Sequence, residues 1–272
     1  MISVNDALHA GLRPLPTIAS VTAPTTPGRV VVVGGAGALG AAVLEQLLGA
    51  GTGGTVAALV SQPVAVALRG LATWTVPTLD QRPTARQQAD TAVVVFDRAR
   101  GRHGREAAFL APGPDQLPQL GRWLMAAGVQ RLVVVMPHTP TLMPQALRAG
   151  LATLDEQALA SLGLVQLVIV RPARGPGGAA VATGPWLERL GRGLLAQLSW
   201  MVPQREQPLR PLKVAQFVNS LLRALPAATP GTRVAPPELL WDWAQPAGGD
   251  GLLRDWLRSA RWTPPPASGR RW

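Results

Sequence analysis

The chain of 272 residues has no cysteine and no tyrosine, and only one lysine, Lys213. Without cysteine there can be no disulfide, no thiolate nucleophile and no zinc–cysteine site, and a reducing cytoplasm is the simplest home. Without tyrosine no phenol is available as a proton donor. The three histidines, His9, His103 and His138, stand at no metal-ligand spacing, so no metal is expected. The apolar runs are shorter than a bilayer span, and residues 1–28 hold Asp6, Arg13 and several prolines where a leader would need an apolar stretch. Neither a transmembrane helix nor a signal peptide is expected.

Acidic residues are sparse as well: 15 against 26 basic ones, a net charge of +11. The basic residues are almost all arginine, they are spread along the chain, and they accompany much alanine, glycine and proline. That is the pattern of a GC-rich coding bias rather than of a basic patch, and no nucleic-acid motif goes with it. No nucleic acid and no membrane is expected as a partner. Hydrophobic residues make up 47% of the chain, enough for a sizeable core.

What the chain does have is a glycine turn in a telling context. Val30–Val33 is a run of β-branched residues that favours strand. It enters Gly34-Gly35-Ala36-Gly37-Ala38-Leu39-Gly40, after which Leu39, Val43, Leu47 and Leu48 recur at helical spacing. Glycines let the backbone turn sharply and let a ligand approach closely, and the free N–H groups of the following helix suit a phosphate. This is the strand–turn–helix start of a dinucleotide-binding unit. The glycines fit two registers: Gly35, Gly37 and Gly40 make G-x-G-x-x-G, and Gly34, Gly37 and Gly40 make G-x-x-G-x-x-G.

Further strands are predicted over 55–60, 71–76, 92–96, 131–136 and 165–170, with helices over 38–50, 115–127 and 144–162. Short apolar strands alternating with helices imply a Rossmann-like doubly wound parallel α/β sheet. Its ligand would sit beyond the carboxyl ends of the strands. Gly34–Gly40, Ser61 and Gln62, Phe96–Arg98, Pro137–Thr139 and Arg171–Ala173 line that edge. The expected organisation is a flexible arm over 1–28, the core over 29–175, a C-terminal helical cap over 176–262 that returns partly to the core, and a flexible tail over 263–272. An apolar stripe through Trp186, Leu187, Leu190, Leu194, Leu195 and Leu198 predicts a helix covering the crevice or an interface.

From the glycine turn to about residue 225 the chain resembles the atypical short-chain dehydrogenase/reductase family, in its NAD(P)-binding, NmrA-like branch. The resemblance rests on Gly34/Gly37/Gly40, on Ala127-Gly128-Val129-Gln130-Arg131-Leu132-Val133-Val134-Val135, on Glu156 to Leu159 with Gly163-Leu164 and Val168-Ile169-Val170-Arg171-Pro172, and on Pro211 to Val218. It implies a dinucleotide cofactor seated by Gly34, Gly35, Gly37, Ala38, Leu39 and Gly40, with Ser61, Gln62 and Phe96 beside it. The departures are as informative. The family's usual Tyr-x-x-x-Lys pair is missing: with Glu156 aligned, Arg148 stands at the tyrosine position and Ala152 at the lysine position. The usual reductase mechanism therefore does not carry over.

His138, with Thr139 beside it, is the candidate substitute for catalysis, since imidazole exchanges protons near neutral pH. No carboxylate lies between Glu45 and Asp80, where one would bind the free 2′-hydroxyl of NAD. Ser61, with Arg69, suits a 2′-phosphate, so NADP is preferred over NAD. The charged segment Asp97, Arg98, Arg100, Arg102, His103, Arg105 and Glu106 would fold over a pyrophosphate or an anionic substrate, or stay solvated. Arg171-Pro172 is read as a structural wall of the crevice. The favoured function is a non-catalytic dinucleotide-binding sensor, regulator or assembly partner, with a protein partner or second copy at the tryptophan-rich C-terminal region. The alternatives are an NADP-dependent oxidoreductase acting on a small or anionic carbonyl compound, and a degenerate scaffold that binds no nucleotide.

Overall fold

The computed structural model describes residues 28–50, 54–64, 69–97, 107–138, 151, 153–173 and 208–259. The expected N-terminal arm to residue 27, the charged stretch 98–106, residues 139–150 and 152, the apolar stripe from Trp186 to Leu198 and the tail lie outside the described residues.

Among the described residues, seven strands form one sheet: β1 (Val30–Val33), β2 (Val56–Val60), β3 (Leu71–Thr75), β4 (Thr91–Val95), β5 (Arg131–Val135), β6 (Gln166–Val170) and β7 (Gly231–Ala235). Their order is β3-β2-β1-β4-β5-β6-β7 and every pairing is parallel. The first six follow the doubly wound Rossmann order, with its reversal point between β1 and β4. The fold class expected from the sequence is the one found.

The four inner strands after β1 carry apolar side chains at successive positions because both their faces are covered. Val32, Val93, Val133 and Val168 face one layer, and Val31, Val94, Val134 and Ile169 face the other. The first layer holds α1 (Ala38–Gly49), α4 (Pro211–Ala224), α5 (Pro237–Ala244) and α6 (Asp250–Ser259). The second holds α2 (Leu117–Ala126) and α3 (Leu154–Ala160). A short 3-10 turn, Pro114–Gln116, leads into α2, which accounts for a helix start two residues later than the sequence pattern implied.

Residues 208–259 return to the core. Helix α4 lies along α1 and buries Val214, Phe217, Val218 and Leu221 against the sheet. β7 then extends the sheet beyond β6. This strand is not predicted from the sequence, because Gly-Thr-Arg-Val-Ala has no apolar run, starts on a glycine with φ +134° and buries only Arg233 and Ala235. Arg233 donates to the Thr229 carbonyl at 2.9 Å and its hydroxyl at 2.6 Å, and burial lowers the pKa of its guanidinium from the ordinary value. Among the described residues, no helix is long and apolar enough to cross a membrane.

The Phe217 ring is fully buried and meets Trp243 edge to face, with centroids 5.3 Å apart and planes at 83°. Truncating it removes a filled core position and the contact that joins α4 to α5. Phe217→Ala is expected to cost about 3–5 kcal/mol in urea unfolding. An unchanged midpoint would show that this junction does not hold the C-terminal helices on the sheet.

Candidate functional site

The carboxyl edge of the sheet at the β1–β4 reversal is built by contacts of backbone on backbone. Gly34 takes φ +86°, and a Cβ there would run into the carbonyl oxygen of Val95 at the end of β4. Gly40, in the first turn of α1, lies so close to the Gly34 carbonyl that a Cβ would collide with it. A Cβ on Gly35 would meet only side-chain ends, those of Leu44 and Phe109. Of the two glycine registers, the one through Gly34, Gly37 and Gly40 thus carries the backbone constraints.

Gly37 is the N-cap of α1, extended at φ −90° and ψ 171°, and it has no side chain with which to cap the helix. The cap comes from elsewhere. Asp97, two residues past β4, places Oδ2 2.7 Å from the backbone nitrogen of Leu39, which donates to it. The same carboxylate fills the space a Cβ on Gly37 would take. A carboxylate suits the positive end of the helix for the reason a phosphate would.

A second piece of chain crosses this edge. Leu110 accepts from the Gly34 amide at 3.1 Å and donates to the Leu59 carbonyl at 3.0 Å, and Phe109 bridges Val60 in antiparallel fashion. The Ser61 amide and hydroxyl both donate to the Ala108 carbonyl, at 2.7 and 3.1 Å. Residues 108–110 therefore run beside the end of β2, in the space beyond the short β1.

The remaining predicted residues fall around this centre. Ala38 and Gln62 are exposed, and Phe96 and Asp97 are half-buried. Arg69 is not brought to Ser61. It precedes Gly70, whose carbonyl accepts from the Val56 amide at the amino end of β2, whereas Ser61 follows the carboxyl end. At about 3.3 Å per residue the strand holds them roughly 16 Å apart. The expectation of a joint Ser61–Arg69 phosphate contact is corrected on that ground.

His138 is buried, 8% exposed, where β5 and β6 continue past their ends; its amide donates to the Pro172 carbonyl at 3.1 Å and it bridges Ala173. Arg171 turns its side chain into the molecule to meet Glu156 of α3 at 2.6 Å, both side chains at most 2% exposed. Thr153 caps α3 by accepting from the Glu156 amide at 3.2 Å. Arg171, read from the sequence as a structural wall of the crevice, makes a buried ion pair with α3. Thr139, Arg98, Arg148 and Ala152 lie outside the described residues. No group of three or more metal-ligating side chains occurs among the described residues.

The scaffold fits the pyrophosphate of a dinucleotide in its turn, its close glycine contacts and its helix terminus. It does not fit one with Asp97 where it stands, because the Leu39 amide is taken and a negative charge already occupies the Gly37 surface. Sequence reasoning placed Asp97 on the ligand edge, within Phe96–Arg98, and at the start of a charged segment; its capping of α1 was not foreseen, because the contact joins residues far apart in the chain.

No protein-family model matches the chain, and no curated protein matches it. Solved structures do. An oxidoreductase of the short-chain dehydrogenase/reductase family from Burkholderia thailandensis is 18% identical, over 87% of this chain and 100% of that one, with a TM-score of 0.45. The Bordetella bronchiseptica enzyme WbmH, solved with NAD+, is 15% identical over 81% of this chain and 82% of its own, with a TM-score of 0.42. UDP-N-acetylglucosamine 4-epimerase from Bacillus cereus is 15% identical over 79% and 82%, with a TM-score of 0.43. The likeness is one of fold, which the strand order establishes independently.

The Glu156–Arg171 pair makes a stability prediction. Glu156→Ala removes a carboxylate partner of the buried Arg171 guanidinium and is expected to cost about 3–5 kcal/mol in chemical denaturation. Replacing both residues with methionine is expected to recover most of that. A Glu156→Ala cost near zero would mean that this pair does not hold α3 on the sheet.

Proposed function

We propose that this protein binds a nicotinamide dinucleotide at the β1–β4 reversal without performing the tyrosine-dependent chemistry of the short-chain dehydrogenases it resembles. It would then act as a sensor, regulator or assembly partner. The observation that carries this reading is the backbone packing of Gly34 and Gly40 at the start of α1. That packing brings the helix N-terminus to the carboxyl edge of a parallel sheet, where dinucleotides bind.

The chemical half of the proposal rests on residues that are missing. There is no tyrosine in the chain and no lysine before Lys213. NADP is proposed over NAD because Ser61 and Gln62, not a carboxylate, follow β2. A second reading, a scaffold that binds no nucleotide, is favoured by Asp97, which takes the Leu39 amide, and by residues 108–110, which take the Gly34 amide and run past the end of β1.

Titration with NADPH and NADH, followed by ligand fluorescence and by unfolding stability, separates the two. Binding is expected to be saturable and tighter for NADPH. A hundredfold excess over Kd should stabilise the fold by about 2.7 kcal/mol. No saturable binding of either up to millimolar ligand would remove the first reading and leave the scaffold. A preference for NADH would remove the NADP assignment alone.

A further inference from the structure

We infer that Asp97 is a built-in competitor for the phosphate position: its carboxylate caps α1 and must swing away before a pyrophosphate can bind. The inference rests on the dinucleotide reading for the identity of the ligand, but its geometry is independent of that reading.

Three observations carry it. The first concerns the donor. The Leu39 amide has one proton, and the Asp97 carboxylate accepts it at 2.7 Å. A phosphate oxygen needing that donor must displace the carboxylate.

The second concerns space. The carboxylate packs on Gly37 where even a Cβ has no room, so an anion and Asp97 cannot both lie against this glycine. Two negative charges that close would also repel through a partly buried edge, where water screens them poorly.

The third concerns how release can occur. The main chain leading to Asp97 is held on both sides: the Val95 carbonyl abuts Gly34, and the Phe96 amide donates to the Val135 carbonyl at 2.9 Å. Release therefore belongs to the side chain, by rotation about χ1, and not to the strand. Asp97 is only half-buried, so its carboxylate can pass into water when it leaves. The chain thus carries its own anion for the helix terminus, and nucleotide affinity is set by the difference between the two anions rather than by the phosphate contacts alone.

Asp97→Asn is the deciding variant. Asparagine keeps an oxygen able to accept from Leu39, so the cap and the fold are retained while the charge is removed. NADPH binding is expected to tighten at least tenfold over the unsubstituted protein. Inorganic pyrophosphate is expected to raise the unfolding temperature of Asp97→Asn and not that of the unsubstituted chain. Asp97→Ala should show the same gains from a lower starting stability; if it does not fold, Asp97→Asn still decides.

Equal or weaker NADPH binding by Asp97→Asn would overturn the competition while leaving dinucleotide binding intact. Stabilisation of the variant by pyrophosphate, with no NADPH binding by any form, would uphold the competition and remove the dinucleotide reading. Binding of neither ligand by any form would overturn both.

Discussion

The carbonyl of Val95 against Gly34, and the carbonyl of Gly34 against Gly40, are the contacts on which the carboxyl edge of this sheet depends. They leave no room for side chains, so β1, β4 and the first turn of α1 approach to backbone distance. Everything nearby takes its position from that approach. The α1 axis is set against the sheet, its N-terminus is aimed at the edge, and the residue two past β4 is delivered to the helix terminus. A larger residue at Gly34 or Gly40 would push α1 away and unseat Leu39, Val43 and Leu47 from the core they share with Val32 and Val93.

The C-terminal segment depends on the same helix. With α1 fixed, α4 packs alongside it and buries Val214, Phe217, Val218 and Leu221 in the same core layer. Only after α4 has crossed the sheet can β7 reach β6 and pair in parallel. On the opposite layer, Glu156 and Arg171 tie α3 to the end of β6. A buried ion pair of this kind is weak evidence of net stability, because both charges lose their water. Its effect here is positional: it joins α3 to the residue that follows β6.

The strand–turn–helix start and most of the parallel strands were legible because their signals are local. Four consecutive valines, a glycine cluster and a 3.6-residue recurrence each identify an element without reference to the rest of the chain. β7 was not legible. An edge strand needs a partner on one side only, and Gly231–Ala235 lacks the apolar continuity that marks a strand buried on both faces. The pairing of Ser61 with Arg69 failed for a related reason. The two are near in the chain, but β2 and β3 run parallel. The residue after β2 and the residue before β3 therefore lie at opposite ends of the sheet.

By itself, the sequence determined the doubly wound α/β class, the position of the glycine turn, and the absence of the phenol and thiol groups that would define a familiar chemistry. These rest on residue type and short-range spacing. Only the tertiary structure decided which groups meet at the turn. That Leu39 donates to Asp97, that residues 108–110 lie beside β2 past the end of β1, and that Arg171 pairs with Glu156 are contacts between segments 15 to 76 residues apart. Such contacts are set by the strand order and by the close packing of Gly34 and Gly40, and no local pattern in the chain encodes them.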